Sequence, residues 1–471
     1  MSSIASTKPA LLAEVRRGPR TDRTQWLLEG PVAPTLLRLA GPNVLVMLLQ
    51  ATVSTLDGVF VGWLGSDALA GISIVFPLVM LMQTMSAGGM GGGVASAIAR
   101  ALGGGRRADA DALVVHALVI AASMAALFTG CLLLGGPVVY HAMGGRGAAL
   151  EAALTYSNVV FGGALVYWLY NTLGSVVRGA GNMALPATVM TGVSVCYLML
   201  SPSLVLGWSV FPRLGIRGVA VASVLTFGAG VLTLVAFLFS SRSLVAPRLH
   251  GRGLQGRLFW EILRVGAPGS VNTILTNLTV VLLTGMVGRF GASALAGYGM
   301  GARLEYLLIP LVFGLGSGLV TMVGTNVGAG QRARAEKIAW VGAGLAACVT
   351  AGVGLLVALF PHAWIGLFSQ DPAVVAVGTR YLQIVGPAYG FFGLGLALYF
   401  ASQGAGRLLW PFMAGATRLL VASVGGWLAV RWLGGGPSAV FTAMALALVV
   451  FGAANALAIR LGAWRSGDGR P

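Results

Sequence analysis

Apolar runs long enough to cross a lipid bilayer recur from Leu39 to Ile459, and this one feature decides what the chain can fold into. A spanning helix needs about 20 apolar residues. Reading the runs between Gly, Pro and Arg clusters gives twelve, at 39–64, 68–99, 113–134, 156–177, 185–206, 219–239, 263–287, 295–323, 338–360, 374–400, 408–430 and 440–459. Backbone inside hydrocarbon must satisfy its own N–H and C=O groups, so runs of this length are helices. Composition agrees: 57% of residues are hydrophobic and 9% charged, against about a quarter charged in a soluble domain. The chain has too little polar surface to cover a globule in water, and lipid must be its solvent.

The basic residues set the expected orientation. A net charge of +17 can indicate nucleic-acid binding, but the arginines form no patch. With the N-terminus inside, alternate loops hold Arg100, Arg106 and Arg107; Arg178; Arg242, Arg248, Arg252 and Arg257; Arg332, Arg334 and Lys337; and Arg407. The opposite loops hold Arg146, Arg213, Arg217, Arg289 and Arg431. That bias places both termini in the cytoplasm, and no nucleic-acid partner is expected. The N-terminal segment, with Arg16, Arg17, Arg20 and Arg23 and no apolar core before a cleavage site, reads as a cytoplasmic tail, not a signal peptide. Cys131, Cys196 and Cys348 lie apart in apolar runs and are expected to be small buried hydrophobes, with no metal or disulfide framework.

An internal repeat organises the whole. Val61-Gly-Trp-Leu-Gly-Ser-Asp-Ala-Leu-Ala-Gly71 aligns with Val287-Gly-Arg-Phe-Gly-Ala-Ser-Ala-Leu-Ala-Gly297, seven identities in eleven. Pro42 pairs with Pro268, the Gly103-Gly-Gly-Arg-Arg107 loop with Gly328-Ala-Gly-Gln-Arg332, and Gly179-Ala-Gly-Asn-Met-Ala-Leu-Pro186 with Gly404-Ala-Gly-Arg-Leu-Leu-Trp-Pro411. Six helices per repeat is an even number, so both halves enter the membrane from one side. The expected fold is an all-α integral membrane protein: twelve transmembrane helices in two six-helix lobes, related by a pseudo-two-fold along the membrane normal. The expected divisions are an N-terminal tail 1–34, a lobe 35–240, a linker 241–258, a lobe 259–461 and a tail 462–471. Two equivalent lobes can rock about a cavity near the midplane, which is the physical basis of alternating access and argues for transport.

Few polar groups sit at membrane depth. Asp57 lies inside the first span beside Val53, Leu56, Val59 and Phe60, where an ionised carboxylate costs roughly 2.5 kcal/mol or more. Such a group can take a proton from one side and release it as a cationic substrate or water approaches; a structural carboxyl in a helix bundle is the alternative. Gln50 and Ser54 share its helix face, either lining the cavity or bonding between helices. Glu305 is a second embedded acid; an Arg303–Glu305 pair is the structural alternative, although residues two apart do not face each other on a helix. Asn171 and the cluster of Asn272, Thr276 and Asn277 either join helices or meet substrate. Tyr156, Tyr167, Trp168 and Tyr170, with Tyr389, Phe391, Phe392 and Tyr399, mark two aromatic spans at equivalent places, as interface belts or stacking surfaces for flat cations. The glycine-rich stretches at Met85–Gly93 and Gly314–Gly318 are expected to bring helices close and bend them. Pro77, Pro202, Pro268, Pro310 and Pro387 are expected to kink their helices. No Ser/His/Asp or metal-ligand constellation supports an enzyme.

These residues resemble the multidrug and toxic compound extrusion (MATE) transporters. The carriers are Pro42, the Asp57-Gly-Val-Phe-Val-Gly-Trp-Leu-Gly65 stretch with Ala68-Leu-Ala70, the Gly103-Gly-Gly-Arg106 loop, and Val177-Arg-Gly-Ala-Gly-Asn182 leading to Pro186. The resemblance implies a two-lobe exporter driven by a proton or sodium gradient, monomeric, in a bacterial cytoplasmic membrane. Asp57 matches the family's ion-binding acid in the first helix, and Gln50 and Asn171 match polar residues of that lobe in the proton-coupled, DinF-like branch. There are departures. The branch's Leu-Asp-Pro in the fifth helix reads Leu200-Ser201-Pro202, and Tyr197 stands where an asparagine is usual. Asn182 replaces a common loop aspartate, and the seventh and tenth helices lack the acids of the sodium-coupled branch. A single acid fits proton better than sodium coupling. No cofactor is expected; the partners are membrane lipid and a small amphipathic, cationic organic substrate. The rival readings are a lipid-linked saccharide flippase of the same superfamily and a membrane-embedded transferase.

Overall fold

The computed structural model describes residues 22–464 except 63, 209, 210, 250 and 252; within helices, the side chains of 22, 48, 51, 52, 54, 55, 57–59, 61, 306 and 433 also lie outside the description. Every described element is a helix. Ten helices are long and apolar enough to span a bilayer, and a pair bent by 47°, Gly147–Gly162 and Ala164–Gly179, makes an eleventh. The twelfth is the first span, Val32–Gly62. The protein is a multi-pass, all-helical membrane protein with twelve spans in two lobes.

The helices overrun the apolar runs. The third span is Arg107–Ala142 and the ninth Arg332–Leu359, because polar turns continue the helix past the hydrocarbon, where hydropathy cannot register them. Of the prolines expected to kink helices, Pro387 lies in a short 3-10 break, Gly386–Ala388, whereas Pro77, Pro202, Pro268 and Pro310 lie within continuous helices. The sharp bend, at Gly163 in the fourth span, carries no proline.

The repeat is visible in backbone geometry. Gly65 and Gly291 have φ of 100° and 103°, Gly105 and Gly330 of 73° and 82°, Gly181 and Gly406 of 85° and 74°. The first pair precedes the starts of equivalent helices and the other two follow equivalent helix ends, all at positive φ, which a side chain would strain. The breaks at Gly163 and Ala388 also fall at equivalent positions.

Contact between the lobes has the same symmetry. Gly103 of the second span rests on the Thr325 backbone, and Gly328 of the eighth span rests on the Arg100 backbone. These four residues exchange roles under the repeat, as a two-fold axis between the lobes requires. Nearby, a Cβ on Gly93 would lie 2.7 Å from the Gly266 nitrogen, and one on Gly89 2.7 Å from the Ser270 nitrogen. The expectation of close approach at the glycine-rich stretches holds, and the first of them contains a π-helical turn, Met85–Met90. The three cysteines are exposed on the bundle surface. This corrects the expectation of burial: in lipid an apolar side chain has no need of the core.

The hydrophobic cores are unevenly shared. One cluster joins Leu36, Leu39 and Met183 of the first lobe to Leu319, Met322 and Ile338 of the second, at the end that carries the N-terminal helix Asp22–Glu29. At the opposite end each lobe keeps its own cluster, with Tyr197, Leu204 and Val219 in the first and Leu283, Tyr298 and Phe441 in the second.

Candidate functional site

In the N-terminal lobe the backbone of Asp57 stands on the first span, five residues before its end at Gly62. The side chains of Ser54 and Asp57 lie outside the described residues; Gln50 is half-buried. Asn171, 9% exposed, donates from Nδ2 to Gln83 Oε1 at 3.1 Å and to Ser86 Oγ at 2.7 Å. Its own carbonyl accepts from Ser175 Oγ at 2.8 Å, and Arg178 Nη2 donates to Ser175 Oγ at 2.9 Å. A polar seam therefore runs between the second and fourth spans. Gln83 was the visible clue, an amide inside an apolar run; Ser86 is brought in by the π turn. Ser201 is fully buried with no hydrogen-bond partner for its hydroxyl among the described residues, and Tyr197 is buried in the lobe's outer core. Tyr167, Trp168 and Tyr170 are likewise buried, so they are core residues of the lobe, not interface belts.

The C-terminal lobe holds a carboxylate in an aromatic shell. Tyr381 donates its hydroxyl to Glu305 Oε1 at 2.5 Å. Around Tyr381 stand Tyr298, edge-on at 5.5 Å, and Phe441 at 5.1 Å. Arg418 lies over Phe392 and Phe451, at 5.6 and 5.5 Å from the ring centres, within electrostatic reach of Glu305. Arg303 instead lies 5.1 Å over Phe368, so the alternative of an Arg303–Glu305 pair is set aside. The hydroxyl of Tyr389, fully buried, neighbours Glu305 and Tyr381. A carboxylate so placed can hold a proton or face an organic cation. Thr276 spends its hydroxyl on the Asn272 carbonyl at 2.9 Å, and Asn277 donates to Thr273 O at 2.9 Å, so both bond within their own helix. The Asn272 side chain neighbours the Tyr399 hydroxyl.

The lobes are latched together by groups at the end bearing the N-terminal helix. Ser96 Oγ donates to the Gln403 carbonyl at 2.5 Å, and Gln403 Nε2 crosses back to Gly88 O at 3.0 Å. The π turn frees this carbonyl from regular helix pairing, and a side chain of the other lobe takes it. Arg100 bonds Ser96 and reaches Glu261 Oε2 at 3.3 Å, where Arg264 also arrives at 3.3 Å. Thr321 donates to the Arg178 carbonyl at 3.0 Å, and Asn43 to Ser317 Oγ at 2.6 Å. Arg100 was expected among loop charges; it is 5% exposed, because the helix runs on to Gly103 and the second lobe covers it.

Comparison with known proteins agrees with this architecture. A solved structure described as the outward-facing conformation of a multidrug resistance MATE family transporter of the MOP superfamily superposes with a TM-score of 0.86 at 23% identity, covering 96% of this chain and all of that one. A MOP superfamily transporter from Pyrococcus furiosus gives a TM-score of 0.87 at 22% identity, over 96% of this chain and 100% of that one. Among curated proteins, the FAD transporter of Shewanella oneidensis is 27% identical over 381 residues, 80% of this chain and 82% of that protein. The probable multidrug resistance protein NorM of Thermotoga maritima is 26% identical over 385 residues, 80% of this chain and 81% of that protein. A model of the MatE family matches residues 42–203 and 268–428, one stretch in each lobe. With more than half of its residues inside those two stretches, the chain belongs to the MatE family of transporters.

Proposed function

We propose that the protein exports amphipathic, cationic organic compounds by alternating access, in antiport with a cation, and that the cation is a proton. The observation that carries the reading is the uneven sharing of the cores: the clusters that take in both lobes do so at one end, and separate clusters serve them at the other. Lobes joined at one end can exchange that contact for its counterpart. Asp57, with Gln50 and Asn171 of the same lobe, is proposed as the coupling centre, and Ser54 as a further contact for substrate or ion. Glu305, Tyr197, Ser201, Asn272 and Thr276 are the proposed further contacts for substrate or ion. The arginine distribution supports a bacterial cytoplasmic membrane with both termini inside, so the latched end is the cytoplasmic one. We take the working unit to be a monomer.

A second reading, export of an anionic flavin nucleotide, draws on the Shewanella relative and on Arg418 held over two rings. One experiment separates the two. Purified protein in liposomes is given a pH gradient or a sodium gradient, with ethidium or FAD as cargo. Ethidium movement under the pH gradient alone, lost in Asp57→Asn, is the expected result. FAD movement without ethidium movement turns the substrate class over, and a strict sodium requirement turns over the proton.

A further inference from the structure

A crevice of about 360 Å³ lies outside the transport machinery, where the N-terminal helix Asp22–Glu29 crosses the latched end. Its walls come from three places: Arg23 and Trp26 of that helix, Arg38 and Pro42 of the first span, and Asn182 and Met183 of the loop after the fourth span. Arg38 stacks on Trp26, 5.4 Å from its ring, which fixes the guanidinium beside the crevice. Arg23 and Arg38 are both exposed, with no carboxylate bonded to them among the described residues. Glu29, on the same helix, is taken by Gln25 at 3.0 Å. Asn182 uses Oδ1 to accept from the Leu185 N–H at 3.2 Å, which leaves its amide N–H groups to donate.

Two guanidinium groups and an amide around one hollow suit a phosphate, which arginine binds through paired hydrogen bonds. The surroundings select the molecule that carries it. Leu37 is 55% exposed and Leu45 71% exposed on the first span beside Arg38, and in a membrane such side chains face acyl chains. Trp26 is the residue type enriched at the headgroup level. The sequence just before adds Arg16, Arg17 and Arg20, and basic clusters next to a spanning helix are drawn to anionic leaflets. We infer that this crevice binds the phosphate headgroup of an anionic phospholipid, its chains lying along the first span.

The site has a mechanical consequence. The N-terminal helix is a strap across both lobes. Its Leu27 carbonyl accepts from Asn326 of the second lobe at 3.1 Å, and the Gly30 carbonyl following it accepts from Arg334. On the first-lobe side Leu27 and Arg23 pack on Gly181. The crevice is complete only while the strap lies on the first lobe; because the same strap is also bonded to the second lobe, a bound headgroup that holds it in place favours the state latched at this end.

The test uses the full chain in nanodiscs of phosphatidylcholine, with or without phosphatidylglycerol. Native mass spectrometry counts retained lipid, and thermal unfolding reads its effect. Wild type is expected to retain phosphatidylglycerol and to melt at higher temperature with it. R23Q/R38Q is expected to retain about tenfold less, having lost two basic contacts to the headgroup, with the phosphatidylglycerol-dependent gain in melting temperature gone. R23K/R38K, which keeps the charge, is expected to restore part of both, and R213Q/R289Q at the opposite end is expected to match wild type. Equal retention by wild type and R23Q/R38Q overturns the site. Equal stabilisation by soluble glycerol 3-phosphate overturns the lipid in favour of a free phosphate.

Discussion

At the residue scale the two embedded acids stand in unlike settings. Asp57 and Glu305 do not occupy equivalent repeat positions: the residue matching Asp57 in the second half is Leu283. Asp57→Asn is expected to abolish gradient-driven export while leaving the melting temperature near wild type; vesicle transport at equal expression measures it, and undiminished rates would sink the assignment. Tyr381→Phe removes the donor held 2.5 Å from Glu305. A lost hydrogen bond to a charged group costs about 1.5–3 kcal/mol, so a lower melting temperature and severalfold slower export are expected. Glu305 was legible as an acid in an apolar run. Its partner was not, because Tyr381 lies 76 residues further on and meets it only once the tenth span packs on the eighth.

Among the elements, glycines decide how closely helices approach. A Cβ on Gly93 would meet the Gly266 backbone at 2.7 Å, whereas one on Gly344 meets nothing within 4 Å. Gly93→Val is expected to lower thermal stability by several degrees and to prevent the latch from closing. Gly344→Ala is expected to be neutral or to stabilise by about 0.5–1 kcal/mol, since alanine loses less entropy in a helix. Melting in detergent compares the two. The existence of all twelve spans was legible from hydropathy. The breaks were less so: Pro387 marked one, while Gly163 looked like any of 71 glycines, and only the 47° bend of the folded chain sets it apart.

For the molecule as a whole, Arg100 and Glu261 form the charged part of the latch, with side chains 6% and 20% exposed. Removing one partner of a buried ion pair strands the other charge and costs about 3–5 kcal/mol. Glu261→Gln is therefore expected to shift the population toward the state open at this end. Spin labels at the exposed positions Ala108 and Ala333, just after the paired loops, would report it as a longer distance distribution; an unchanged distribution would mean that packing alone holds the lobes. Arg100→Gln, which also loses the link to Ser96, is expected to shift it further.

The number of spans, the two-fold repeat and the acids at membrane depth are properties of the sequence by itself, because hydrocarbon admits little except regular helices and excludes unpaired charge. Which lobe surfaces touch, and at which end, was decided by tertiary structure alone. The latch joins Ser96 to Gln403 and Arg100 to Glu261, pairs with no signature in local pattern. Apolar helices look alike to lipid on every face, so hydropathy carries no information about which face meets another helix. Small residues and a few polar groups make that choice, and their effect appears only when two helices are brought within reach.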